Sequence, residues 1–288
     1  MLLFTSTTNL LSEDEGGAIE VPVTFRSDGS LIQGLFFTAK ATEPSPTAIL
    51  LQGFPGGEGD VFGLGHALSS AGINVFTFNW QGTWKSEGII LPEYSLRDVI
   101  NALSFLKTAE MIQKFKIDTI QISIIGYSYG GGFAVLGSLH DPNVKKVATI
   151  AGGDLSVIAN MIEQSEDFRK AHQAMMDECM SDPVVARGLG GKATHEIMIE
   201  HRDEYNLIKH AKELSEKDIL MIGGWKDQAI RIEDHILPLY RALQENNARK
   251  VKIRIFDCTH SFTEVRDELG DTIIAWLKTE EQSPLKEP

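Results

Sequence analysis

Ile122-Ser123-Ile124-Ile125-Gly126-Tyr127-Ser128-Tyr129-Gly130-Gly131-Gly132 is the stretch whose reading decides the fold. Its β-branched first half reads as a buried strand, and Phe133 to Leu139 after it reads as a helix. Between them Ser128 sits in a Gly-x-Ser-x-Gly pattern, the signature of a turn that lifts a serine hydroxyl above a sheet and over the next helix's N-terminus. A side chain at Gly126 or Gly130 would meet neighbouring backbone in so sharp a turn. The competing reading is a glycine-rich turn that serves only close packing. The strand before the serine and the helix after it favour a reactive hydroxyl.

Outward from this turn the chain alternates. Before it, Glu20 to Arg26 and Leu31 to Thr38 read as a hairpin around Ser27-Asp28-Gly29-Ser30, and Thr47 to Gln52 as a third strand. A helix over Val61 to Ala71 leads to a strand over Ile73 to Asn79, and a helix over Tyr94 to Lys107 leads to the strand before Ser128. After it come strands over Lys145 to Ile150, Asp218 to Gly223 and Lys250 to Phe256, with helices over Ile232 to Glu245 and Phe262 to Leu277. Unbroken apolar strands alternating with helices imply an α/β fold: a mostly parallel, eight-stranded sheet with helices on both faces. Right-handed crossovers bring the C-terminal ends of the parallel strands to one edge, so residues just after those ends are the site candidates.

One connection is too long. Between Ile150 and Asp218 a single helix would suffice, yet the chain runs through a mostly helical, polar segment containing Met161, Met175, Met176, Met180 and Met198. An insertion there is most simply a cap over the ligand edge, which divides the chain into a core (1–153 and 216–288) and a helical cap insertion (154–215). Its methionines suit an adaptable apolar surface, or the insertion's own core.

A formal net charge of −13 over 288 residues, with no offsetting basic patch, argues against nucleic acid and anionic membranes as partners. Arg249 to Arg254 alternates charged and apolar residues, as one solvated strand face would. The two cysteines, Cys179 and Cys258, make no disulfide framework and have no metal-ligand spacing. Met1-Leu2-Leu3-Phe4-Thr5 lacks the charged start and apolar length of a signal peptide. The expectation is a cytoplasmic protein with a short disordered tail over Glu280 to Pro288, without metal or cofactor, acting on a small molecule as monomer or homodimer.

A serine hydroxyl needs a base to take its proton and an acid to orient that base. Of eight histidines, His260 follows the last strand through Asp257-Cys258-Thr259. His66, His172, His195, His201, His210 and His235 fall in helical or insertion segments, and His140 ends the serine's helix at the opposite pole. Asp227 follows the penultimate strand as the candidate acid; Asp154, after the strand before that one, is the competitor. The order Ser, Asp, His at those loop positions favours Asp227. The amides of Tyr129 and of Phe54, in the turn Gly53-Phe54-Pro55-Gly56-Gly57, are the candidate oxyanion donors, each worth about 3 kcal/mol in a transition state.

The chain resembles the α/β-hydrolase superfamily from about Val21 to Leu277. Gly126-Tyr127-Ser128-Tyr129-Gly130-Gly131 is similar to the elbow of its prolyl-oligopeptidase and dienelactone-hydrolase-like branches. Asn79-Trp80-Gln81-Gly82-Thr83-Trp84-Lys85-Ser86-Glu87-Gly88 is similar to an Asp-x-Arg-Gly-x-Gly-x-Ser-x-Gly segment after the fourth strand. Gln52 stands where members usually carry a His, and Asn79 and Gln81 replace the usual Asp and Arg. The resemblance implies acyl transfer to water from a small or medium ester through Ser128, His260 and Asp227. An oligopeptidase-like amide hydrolase and an acyltransferase are alternatives, as is a hydrolase-fold receptor with little turnover. Trp80, Trp84 and Tyr127 read either as lining for an aromatic pocket or as scaffold.

Overall fold

The computed structural model describes residues 19–279; the N-terminal Met1 to Thr5 segment and the tail from Glu280 lie outside the described residues. β1 (Ile19–Ser27) and β2 (Ser30–Thr38) form the expected antiparallel hairpin. Its two-residue turn puts Asp28 and Gly29 at φ 47° and 88°, the left-handed pair whose twist matches the flanking strands.

From β3 (Ser45–Leu51) the chain alternates. α1 (Leu64–Ser70) leads to β4 (Asn74–Phe78), and α2 (Pro92–Leu106) and α3 (Ala109–Phe115) lead to β5 (Ile117–Tyr127). α4 (Tyr129–Ser138) starts one residue after Ser128 and leads to β6 (Lys146–Ile150). α5 (Leu155–Gln164), α6 (Glu166–Ser181), α7 (Gly191–Glu200) and α8 (Ala211–Leu214) intervene before β7 (Asp218–Gly224). α9 (Leu237–Glu245), β8 (Val251–Phe256) and α10 (Arg266–Leu277) complete the described chain.

The strands form one eight-stranded sheet in the order β1-β2-β4-β3-β5-β6-β7-β8. β1 and β2 are antiparallel and all pairings from β4 to β8 are parallel, as the apolar runs predict. Two apolar layers cover its faces. Phe36, Phe76, Phe78 and Phe133 belong to one, with α2 and α4; Phe37, Leu68, Leu269 and Trp276 belong to the other, with α1 and α10. At the edge, β8 turns Lys252 and Arg254 outward, which accounts for the alternating basic stretch.

The local differences have local causes. Phe62 and Gly63 take left-handed φ values of 58° and 81°, which delays α1 until Leu64. The helix read over Ile232 to Glu245 opens as a π-helical turn, Ile232–Ile236, before α9, because Pro238 has no N–H to continue an α-helical ladder. α3 was not expected from the sequence; it is seven residues long and is capped by the Thr108 hydroxyl, which accepts from the Met111 amide.

The helices between β6 and β7 pack on one another and are tied to the segment after β4. Thr83 and Ala186 form an isolated antiparallel bridge, flanked by Arg187 N to Gly82 O and Ile90 N to Arg187 O, both 2.7 Å. The Arg187 guanidinium donates to the carbonyls of Trp84, Pro183 and Ser86.

Candidate active site

The turn around Ser128 is as tight as the sequence implies. Ser128 adopts φ 52° and ψ −116°, a conformation a side chain tolerates only when its surroundings enforce it. Its amide donates to Ile150 O at 2.8 Å, and its carbonyl accepts from the amides of Gly131 and Gly153 at 2.9 and 3.0 Å. A Cβ on Gly126 would overlap the Gly130 carbonyl, and one on Gly130 would overlap the Gln52 carbonyl. Gly131 and Gly132 let α4 press against the Gly152-Gly153 loop after β6. The strain at Ser128 is thus held by both neighbouring strand ends.

Two further strand ends deliver the partners. His260 Nε2 lies 2.9 Å from Ser128 Oγ, and His260 Nδ1 lies 2.7 Å from Asp227 Oδ2. Asp227 Oδ1 accepts from the amides of Ala229 and Ile230, both at 2.9 Å, so both carboxylate oxygens are engaged. Burial opposes ionisation of Asp227, but the bonds from His260 and from the Ile230 and Ala229 amides outweigh it and hold its carboxyl below the ordinary range. The loops after β7 and β8 are knitted together by Trp225 N to Phe256 O at 2.8 Å and Lys226 N to Cys258 O at 3.0 Å.

Asp154, the other carboxylate weighed for the acid, is engaged elsewhere. It caps α5 through the Ser156 amide at 2.8 Å, and its second oxygen accepts from the Leu207 amide at 3.1 Å. Asp257 pairs with Lys226 on the surface, and Asp234 pairs with Arg231. Among the described residues, neither carboxylate bonds to His260.

Phe54 and Tyr129 both border the cavity beside Ser128. Among the described residues neither backbone amide has a hydrogen-bond acceptor, so both remain available as donors. The Phe54 turn is braced by residues whose roles the sequence left open. Gln52, in place of the more usual His, accepts from the Gly57 amide at 2.6 Å and donates to Gly59 O at 3.3 Å. Trp80, fully buried, donates its indole N–H to the carbonyls of Gln52 and Gly53 at 3.1 and 3.3 Å. Trp80 is therefore scaffold, not pocket lining. Tyr127 is scaffold too: its hydroxyl donates to His260 O at 3.0 Å, and its ring lies 5.1 Å from the imidazole. No local pattern signals the roles of Trp80 and Tyr127, because their partners are distant in sequence, whereas Gln52 bonds within its own turn. Asn79 and Gln81 are held through their backbones, Asn79 O accepting from the Ser86 hydroxyl and the Gln81 backbone N–H donating to the buried Asp98.

The cavity has a volume of about 340 Å³. Ser128 and His260 stand in its wall with apolar groups that include Phe54, Ile158, Phe168, Met176, Met198 and Ile230. Met175 lines it as well, whereas Met180 packs against the core. Among the described residues, no Asp, Glu, Lys or Arg lines it. A wider cleft of about 550 Å³ opens at the other end of the sheet, by Pro46, Ile73, Ile122 and Lys145, and lacks a comparable serine–histidine pair. Chemically, the arrangement beside Ser128 can deprotonate a hydroxyl, hold an oxyanion on two amides and shelter an uncharged group.

The α/β hydrolase fold family matches residues 46–189, half of the chain. A thiohydrolase of Arthrinium phaeospermum is 28% identical over 131 residues, which are 43% of this chain and 39% of that protein. Among solved structures, the acylaminoacyl peptidase of Pyrococcus horikoshii superposes with a TM-score of 0.68 at 15% identity, covering 94% of this chain and 44% of its own. An esterase of Pyrococcus furiosus superposes with a TM-score of 0.67 at 17% identity, covering 91% of each chain. The chain spans less than half the length of the thiohydrolase and of the peptidase, and nearly all of the esterase.

Proposed function

The chain belongs to the α/β-hydrolase family, and on that premise we propose that it cleaves carboxylic esters of small or medium, uncharged substrates through an acyl-enzyme at Ser128. The observation that carries the reading is the continuous set of hydrogen bonds Ser128–His260–Asp227, opening on an apolar cavity. In the proposed cycle His260 Nε2 takes the Ser128 proton as Oγ adds to the ester carbonyl. The oxyanion rests on the amides of Phe54 and Tyr129. Collapse breaks the bond to the alcohol, which leaves with the proton from His260. A water, deprotonated by the same imidazole, then adds to the acyl carbon and releases the acid and free Ser128. Asp227 holds the ring and stabilises the imidazolium in both halves.

The uncharged wall favours esters over peptides with a free amino terminus, since a buried ammonium would need a carboxylate partner there. A thioester is a second substrate class that fits the same chemistry, and the similarity to a thiohydrolase favours including it. We assign residues 154–215 as a helical cap insertion on a core formed by 1–153 and 216–288, because α6 and α7 supply part of the cavity wall. No described helix is long and apolar enough to cross a membrane, which fits the proposed action on small molecules in the cytoplasm.

Labelling by a fluorophosphonate, compared between wild type and Ser128→Ala, tests the reading. Wild type should be labelled and the variant should not. A panel of nitrophenyl esters, a thioester and aminoacyl amides then ranks the substrate classes. Failure to label wild type would favour a ligand-binding role without turnover.

A further inference from the structure

Besides His260, one other imidazole stands in the cavity wall: His172, on α6. Its Nδ1 lies 2.8 Å from His195 Nε2 on α7, and its ring stacks on Phe168 with centroids 5.7 Å apart and planes at 23°. His195 is itself only 4% exposed. The ring is therefore fixed from two sides by residues of the insertion. Its other nitrogen, Nε2, has no hydrogen-bond partner among the described residues, and it is not sealed from solvent. A fixed, solvent-accessible and unpartnered polar atom on a residue of a mostly apolar wall is where a ligand would gain a hydrogen bond.

The electrostatics define what it would bind. Burial, reinforced by His195, pushes the pKa of His172 down to about 4, so the ring is neutral near pH 7. A neutral imidazole beside uncharged neighbours does not select an anion. Whichever histidine of the pair donates, Nε2 of His172 presents either an N–H or a lone pair. A hydroxyl meets both cases, because it donates and accepts.

We infer that His172 is a specificity-determining contact, positioned by His195, for a hydroxyl group carried on the apolar arm of the substrate. The inference rests on the ester-hydrolase reading and narrows its substrate class to hydroxylated acyl or alcohol groups.

Matched esters test it: plain chains against chains hydroxylated at successive carbons, varied first in the acyl and then in the alcohol arm. Wild type should prefer a hydroxylated member about tenfold in kcat/KM at one position. His172→Phe should abolish that preference, and labelling of the variant by fluorophosphonate shows that its Ser128 is still reactive. Two amides separate the ring's nitrogens. The Gln amide group is attached at Cδ and reaches the place of Nε2, whereas the Asn group is attached at Cγ and reaches that of Nδ1. His172→Gln should therefore keep the preference and His172→Asn should lose it. Absence of any preference in wild type, or its survival in His172→Phe, would overturn the inference. The same pairs with the ester replaced by a non-hydrolysable ether, read as Kd by calorimetry, test the contact independently of turnover. A wild type that is not labelled yet shows the Kd preference would sink the hydrolytic reading alone.

Discussion

Asp227→Asn is the substitution with the most direct consequence. Asp227 Oδ1 accepts from two backbone amides, Ala229 and Ile230, each at 2.9 Å. An asparagine must keep its carbonyl oxygen at that corner, since an NH2 there would face two donors. Its NH2 group is then forced opposite His260 Nδ1, where Oδ2 now accepts at 2.7 Å. The imidazole must turn its Nδ1 lone pair toward that NH2 and carry its proton on Nε2. Facing Ser128 at 2.9 Å, Nε2 then has no lone pair to take the hydroxyl proton. Loss of the base in this way costs about 10⁴-fold in kcat, or about 5 kcal/mol of barrier. Shape and both amide bonds are retained, so Tm should move by no more than a few degrees. The assay is kcat and KM on a nitrophenyl ester for wild type, Asp227→Asn and Asp154→Asn, with Tm for each. Asp154 holds the α5 cap and the Leu207 amide, so its asparagine variant should lower Tm and leave kcat within a few-fold. Near-wild-type turnover in Asp227→Asn, or a comparable loss in Asp154→Asn, would refute the reasoning.

Four other outcomes are expected. Trp80→Phe removes the N–H that braces Gln52 O and Gly53 O, and should lower kcat about tenfold with KM little changed; kcat intact with only a lower Tm would confine Trp80 to stability. Gly126→Ala should not yield folded protein, since its Cβ has no room beside Gly130 O, whereas Gly270→Ala meets only Ala67 and Leu64 at 3.8 and 3.9 Å. The latter should gain about 0.5–1 kcal/mol from helix propensity, seen as a modest rise in Tm. Asp98 is fully buried and its pKa is raised to about 7, mainly by burial, against the bond its Oδ2 accepts from the Gln81 backbone N–H. The folded state there holds a proton the unfolded chain releases near pH 4, so Asp98 should erode stability progressively from about pH 4 to 7 and steadily penalise it above. Asp98→Asn should flatten that slope in Tm measured across the range; an unchanged slope would show that Asp98 is not its source.

Much of the architecture is readable without coordinates because its physics is local or periodic. Apolar runs at Thr47 to Gln52 and Thr119 to Ile125 announce strands covered on both faces, and Gly126, Ser128 and Gly130 announce a turn too tight for side chains. A parallel sheet then sorts Ser128, Asp227 and His260 to one edge, whatever their separation in sequence. Within that edge the chain alone leaves choices. Asp154 and Asp227 both follow strand ends, and only the packed loops decide that one caps α5 while the other faces an imidazole. Trp80 and Tyr127 gain their bracing roles from distant carbonyls that the folded backbone brings to them. The pairing of His172 with His195 likewise exists only because α6 and α7 lie side by side. Period and turn chemistry act over a few residues, so the sequence determines them directly; hydrogen bonds between distant residues depend on where the whole chain has come to rest.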